Sequence, residues 1–327
     1  MRRAAVVVPV FALLSSAIAW GVLADARAAR LEALLEEIEA AETRVAYHGI
    51  REIGAGETLR LKVASSGDGR RQVEPLGARP RRFTPGGLLR PGLLQWKDRV
   101  KDYHLAVRNY DIVFLGTEVV AGRTADVLEA RPHYPGRPTI RVAADREHRL
   151  ALRFQVRAGD VDVFRAEFTE IAFGPTEVVD RPAPPAWVRV EKTAQAPGRL
   201  SEAAGFGIWM PARLPGGFAL RGSETIRVKT ELPAPMPAMG GTLAHLAYTD
   251  GLAVLSLVEM PASSELWAFA RRFLRKGEAT AWGLVAHKVA APGGAAYLLE
   301  LEGTAVLVAG NVPAKDIEAA IESLERR

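Results

Sequence analysis

Apolar positions recur with two different periods along this chain. Over Arg27–Ala41 they fall at Leu31, Leu34, Leu35 and Ile38, with Glu36, Glu37 and Glu39 between them, which predicts a helix with one core-facing stripe. From Val45 the period becomes two. Strands are predicted at Val45–Glu52, Thr58–Ala64, Arg70–Pro75, Tyr110–Leu115, Glu118–Arg131, Thr139–Ala144, Leu150–Ala158 and Val161–Phe173. Such a run of strands after one helix predicts a large, antiparallel, curved sheet or open barrel with the helix on its concave face. That face is either packed throughout or encloses an apolar cavity. In the second case Phe164 and Phe168 of the last strand, with Leu35 and Ile38 of the helix, are the residues expected to line it.

The prolines at 175, 182, 184, 185 and 197 interrupt the pattern over Gly174–Leu200, where only Ala186–Lys192 reads as a strand. The second half is organised around Leu243–Met260, two apolar runs flanking Asp250-Gly251. Asp-Gly suits a two-residue hairpin turn because both residues tolerate positive φ. That loop would set Tyr248 opposite Ala253, Leu246 opposite Leu255 and His245 opposite Ser256, leaving both faces mostly apolar, as in the middle of a covered sheet. Around the hairpin lie a strand at Phe218–Val228, a proline-rich arm at Glu231–Gly241, a helix at Glu265–Arg275 capped by Ser263 or Ser264, strands at Thr280–Ala290, Ala295–Glu302 and Ala305–Ala309, and a closing helix at Pro313–Arg327. The fold class is therefore α+β, an unclosed antiparallel barrel with helices followed by a smaller sheet-and-helix domain.

The first residues set the compartment. Arg2-Arg3, the apolar stretch Ala4–Leu23 and Ala24-Asp25-Ala26 have the form of a secretory signal cut after Ala26, and the same stretch is just long enough to serve as a retained anchor. The chain has 327 residues and no cysteine, which excludes disulfides, thiolate metal sites and a cysteine nucleophile. Its net charge of +5 is spread along the sequence, too diffuse to argue for nucleic acid. The arginines at 79, 81, 82 and 90 sit beside Phe83, Leu88 and Leu89. That mixture suits either a solvated loop or contact with an anionic amphiphile.

Catalytic patterns are missing. No two of the six histidines lie close enough for a metal pair, and there is no nucleophile elbow, phosphate loop or dinucleotide fingerprint. His245 and Ser256 form a polar pair within apolar strands, expected to be a satisfied structural hydrogen bond. No cofactor and no enzymatic activity are expected.

Several stretches, in their order and spacing, resemble the MucB/RseB family of periplasmic regulators of the envelope-stress sigma factor. They are Asn109-Tyr110, Leu115–Arg123, GFGIWMPARLPGGF at Gly205–Phe218, HLAYTDGLA at His245–Ala253, Trp282-Gly283 and VLVAGNVP at Val306–Pro313. The resemblance implies a signal peptide at 1–26, a first domain at 27–180 similar to the lipoprotein carriers LolA and LolB, a linker at 181–200 and a second domain at 201–327. It also implies a partner, the periplasmic part of a membrane-bound anti-sigma factor, shielded from regulated proteolysis and released when lipopolysaccharide, acyl-lipid or lipoprotein ligands occupy the protein. Self-association is left open. The partner surface is expected at Tyr248, Asp250 and Gly251 of the hairpin, Met236 and Met239 of the arm, and Trp187 of the linker. Tyr248, like Trp209 and Trp282, reads more readily as a core aromatic than as a contact residue. The competing function is a LolA-type lipid or lipoprotein carrier without a sigma-factor partner.

Overall fold

Each half of the chain builds an antiparallel sheet of eight strands. The computed structural model describes residues 27–55, 57–77, 102–178, 188–230, 240–271, 278–279, 285–291 and 294–327. The expectations for the leader, the arginine-rich stretch, Trp187, Met236, Met239 and Trp282 fall outside these residues.

The first sheet contains the strands read from the period-two pattern. They are β1 (Ala46–Ala55), β2 (Glu57–Ser66), β3 (Arg71–Leu76), β4 (Tyr110–Val120), β5 (Arg123–Pro132), β6 (Thr139–Asp145), β7 (Ala151–Ala158) and β8 (Val161–Phe173). Their spatial order is β3-β2-β1-β8-β7-β6-β5-β4, so β1 joins β8 and the two edges, β3 and β4, do not meet. The sequence reading ran one strand from Glu118 to Arg131. The structure divides it at Ala121-Gly122, whose φ values of +48° and +75° make the tight turn that pairs Val120 with Arg123.

Helix α1, residues 27–44, lays its apolar stripe on this sheet. Ile38 and Leu34 meet Leu128, Ala144 and Ala151, while Leu31 and Leu35 meet Tyr110, Ile112, Ala130 and Ile140. A second helix, α2 (Tyr103–Asn109), precedes β4 and was not anticipated. Seven residues are too few for a visible stripe, but Asp102 caps it by accepting from the Leu105 N–H at 3.0 Å.

The second sheet runs β14-β15-β16-β17-β13-β12-β11-β9. The members are β9 (Val188–Ala194), β11 (Ala219–Thr230), β12 (Gly240–Thr249), β13 (Val254–Pro261), β14 (Glu278–Ala279), β15 (Val285–Ala291), β16 (Gly294–Leu301) and β17 (Thr304–Gly310). The strand in the proline-rich connection, β9, is the outer strand beside β11. Helices α3 (Leu200–Ala204), α4 (Glu265–Arg271) and α5 (Ala314–Glu322) accompany it, and Ser264 caps α4 through the Trp267 N–H. The closing helix is shorter than its pattern. At Ser323 the chain is bonded to Ala212 and Arg213, and β18 (Leu324–Arg326) pairs with β10 (Trp209–Pro211).

The central hairpin differs from its expected register. Thr249 pairs with Val254, Tyr248 with Leu255, Leu246 with Leu257 and His245 with Val258, so the loop holds four residues, Asp250–Ala253. Asp250 causes the change. Its Oδ1 accepts from the Ala253 N–H at 2.8 Å and the Leu252 N–H at 3.2 Å, closing a longer loop around its own carboxylate. His245 and Ser256 are therefore diagonal neighbours on one face. They are still bonded, Nε2 to Oγ at 2.7 Å, with Glu224 at 3.0 Å from Nδ1.

Candidate functional site

The tip of that hairpin is inserted against the first sheet. Asp250 has no exposed surface, and its Oδ2 accepts from the Tyr110 hydroxyl at 2.9 Å and from Arg137 at 2.7 Å. The Asn109 amide donates to two second-sheet carbonyls, Asp250 at 2.8 Å and Gly217 at 3.0 Å. Arg137 also donates to the Gly216 carbonyl at 2.5 Å and lies 3.5 Å from Asp316 of the second half. Its guanidinium is sandwiched between the rings of Tyr134 and Phe218, 4.7 and 5.0 Å from their centroids. Arg137 itself is only 8% exposed. The Arg137 guanidinium, the Asp250 carboxylate, the Tyr110 hydroxyl and the Asn109 amide nitrogen each have a partner across the junction, which is what makes their burial tolerable.

The glycines permit the close approach. Gly251 has φ +112°, and a Cβ there would fall on the backbone of Ala106 and 2.7 Å from the Asp102 carbonyl. The Gly251 carbonyl accepts from the Asp102 N–H at 3.2 Å. At Gly217 an added Cβ would meet the Tyr134 ring at 2.6 Å and Asn109 at 2.8 Å. The small loop thus seats directly on the N-terminal end of α2.

Burial raises the Asp250 carboxyl above its ordinary range, while the Ala253 N–H, Arg137 and Tyr110 oppose that rise. Burial likewise pushes the Tyr110 hydroxyl well up, and the Asp250 carboxylate beside it adds to the effect. The phenol is therefore the donor and the carboxylate the acceptor.

Among the residues expected to contact a partner, Tyr248, Asp250 and Gly251 face protein. Tyr248 lies in the second core with Leu246, Leu255 and Leu257, which is its core-aromatic reading, and the other two form the junction. The physical reason is the hairpin's position in the middle of its sheet, which leaves only its tip free, and the tip meets α2. Among the residues expected to line a cavity, Phe168 is 1% exposed and stands edge-on to Tyr47 at 5.7 Å. Phe164 contacts Phe154 at 6.2 Å, Ile38 is buried and Leu35 packs near Tyr110. These side chains fall in separate packed groups, Phe168 with Tyr47, Ile38 with Leu128 and Leu35 with Tyr110. A cleft of about 400 Å³ beside α1 has a mixed lining that includes Arg30, Leu34, Glu37, Asp126 and Arg149.

Sequence reasoning missed Arg137, Tyr134 and Asp316. A signal for the rest existed. Asn109-Tyr110, Gly216–Phe218 and Tyr248–Ala253 come from three of the stretches that carried the family resemblance, and they meet here. Val306–Pro313 joins them indirectly, since Asn311 accepts from the Val254 N–H at 2.6 Å and so braces the base of the loop. Among the described residues, no cluster of three histidine or acidic side chains could hold a metal ion, and no helix is long and apolar enough to cross a membrane.

Residues 95–188 match the model of the MucB/RseB N-terminal domain. No curated protein sequence matches the chain significantly. Among solved structures, it is similar to MucB in complex with MucA(peri), at 20% identity and a TM-score of 0.56, over 90% of this chain and 98% of that one. The MucA/MucB complex of Pseudomonas aeruginosa gives the same values, and MucB alone gives a TM-score of 0.50 over 91% of this chain. The likeness in fold therefore extends over both sheets.

Proposed function

We propose that this chain, whose residues 95–188 match the MucB/RseB N-terminal domain, is a non-enzymatic periplasmic regulator of that family that binds the periplasmic part of a membrane-bound anti-sigma factor, protects that protein from regulated proteolysis and senses envelope stress through lipid or lipoprotein ligands. The observation that carries this reading is the family match at 95–188 joined to a likeness in fold that spans the whole of MucB as it is bound to MucA(peri). The apolar leader of the sequence supports export, and the lack of catalytic patterns supports a binding role.

Met236, Met239 and Trp187 are the proposed contact residues for the partner. The hairpin tip, Asp250-Gly251, acts differently. Closed against α2, it sets the spacing of the two sheets across which the partner lies. A lipid acyl chain would enter beside α1, displacing the packed side chains of Phe168, Ile38 and Leu35 from their present neighbours.

The test is a pull-down with residues 27–327 as bait in solubilised envelope, followed by mass spectrometry of proteins and lipids. Recovery of a single-pass anti-sigma protein, displaced by added lipopolysaccharide or lipopeptide, is the expected result. Recovery of acylated lipoproteins alone would replace the regulator with a LolA-type carrier. A Phe168→Glu variant that folds and still binds lipid normally would remove the cavity assignment.

A further inference from the structure

The apolar clusters divide between the two sheets. Those around Phe168 and around Leu128 contain only residues of the first half, and those around Leu246 and around Ile226 only residues of the second. Within the clusters one side chain crosses, Leu252 of the hairpin loop, which packs against the group of Tyr110, Ile112 and Ile140. The hydrogen bonds and ion pairs at the junction are a different kind of contact. Arg137 and Tyr110 hold the Asp250 carboxylate, Asn109 holds two carbonyls, and Arg221 lies 3.2 Å from Asp102.

We propose that this junction is a releasable latch, in which Arg137 and Tyr110 of the first sheet hold the Asp250 hairpin closed and the two sheets can part there with both cores intact. Parting uncovers Leu252, Tyr110 and the ring faces of Tyr134 and Phe218 but opens neither main core, and it returns Arg137 and Asp250 to water, where each charge is solvated. The hairpin keeps its own shape when released, because Oδ1 of Asp250 still accepts from Leu252 and Ala253. Closing with one partner missing is another matter, since it would bury a lone charge. The latch therefore depends on charge matching more than on contact area. It follows from the side chains at the junction and holds whatever the partner is.

Hydrogen exchange on the full chain tests this, comparing the wild type with Arg137→Met and with the double variant Arg137→Met/Asp250→Asn. In Arg137→Met, amides of residues 102–109 and 250–254 should exchange about tenfold faster or more, while β6, β7, β16 and β17 keep wild-type protection. In the double variant no charge is buried, and exchange at the same amides should return to within about threefold of wild type. Tyr110→Phe removes one donor and leaves the ion pair, so it should open the same segments by a smaller factor. It also serves if Arg137→Met does not fold. Three results would overturn the latch: unchanged junction amides in Arg137→Met and Tyr110→Phe, acceleration that spreads through the strands of either sheet, or a double variant as open as the single one.

Discussion

Glu259 should make the second sheet lose stability as the pH rises. It lies on β13 between Ala244 of β12 and Val306 of β17, and it has no exposed surface. Its Oε2 accepts from the Trp209 N–H at 2.8 Å, while Oε1 has no hydrogen-bond partner among the described residues. The Tyr248 hydroxyl and the Trp209 indole nitrogen are also buried without a partner there. Burial pushes the Glu259 carboxyl from its ordinary 4.5 up to about 8, with the Trp209 N–H pulling weakly the other way. The folded state thus holds its proton up to about pH 8, whereas the unfolded chain releases it near 4.5. The stabilising term is fully present below the unfolded value and is lost as the pH rises through this window. At about 1.4 kcal/mol per unit, the loss across the window is about 5 kcal/mol. Glu259→Gln has nearly the same shape and never ionises. Its stability relative to wild type should be near zero at pH 4.5 and rise by several kcal/mol at pH 9. Urea unfolding followed by tryptophan fluorescence at intervals between those pH values measures this difference, and groups common to both proteins cancel. A difference that stays constant with pH would refute the reasoning, because it would mean that Glu259 is ionised, and therefore hydrated, in the folded state.

Other expectations concern the junction and the first sheet. Gly251→Ala should loosen the seating of the hairpin on α2 and cost roughly 1–3 kcal/mol in thermal or urea unfolding, through its positive φ and the clash with Ala106. A cost below about 0.5 kcal/mol would mean that the tip does not sit on α2. Phe168→Ala should cost about 3–5 kcal/mol in unfolding of the first sheet, as expected for a packed aromatic; a much smaller cost would mean that the space is open or hydrated. Asp145 is buried, which raises its carboxyl, but Arg123 and the His148 N–H more than reverse this and hold it below its ordinary range. Its contribution is present above the ordinary carboxylate value and is lost as the pH falls below about 4. Asp145→Asn should flatten that acid limb of the unfolding curve, and an unchanged limb would place the acid sensitivity elsewhere.

The longer elements of this fold were legible because each is a local pattern, whereas α2, α3 and the short strands β10 and β18 were not. The stripe of Leu31, Leu34, Leu35 and Ile38 specifies α1, and alternation specifies the eight strands of the first sheet, whatever the rest of the chain does. Asp250-Gly251 located the hairpin, and the Asp250 side chain then lengthened its loop through bonds to its own backbone, a choice that turn propensity alone leaves open. What the tertiary structure decided is which distant residues meet. The pairing of β1 with β8, the return of the last residues to Trp209–Pro211 and the pairing of Arg137 with Asp250 join segments far apart in sequence. No local period encodes such pairings, since they depend on which sheet edges and buried charges remain unsatisfied once the nearby contacts have formed. The same holds for exposure. Nothing in the local pattern marks the carboxylates of Asp250 and Glu259 as buried, and it is the packing of α2 against the tip and of β10 against β13 that removes them from water. Burial turns one into the counter-ion of Arg137 and the other into a carboxyl that keeps its proton, because a charge out of water must be either paired or neutral.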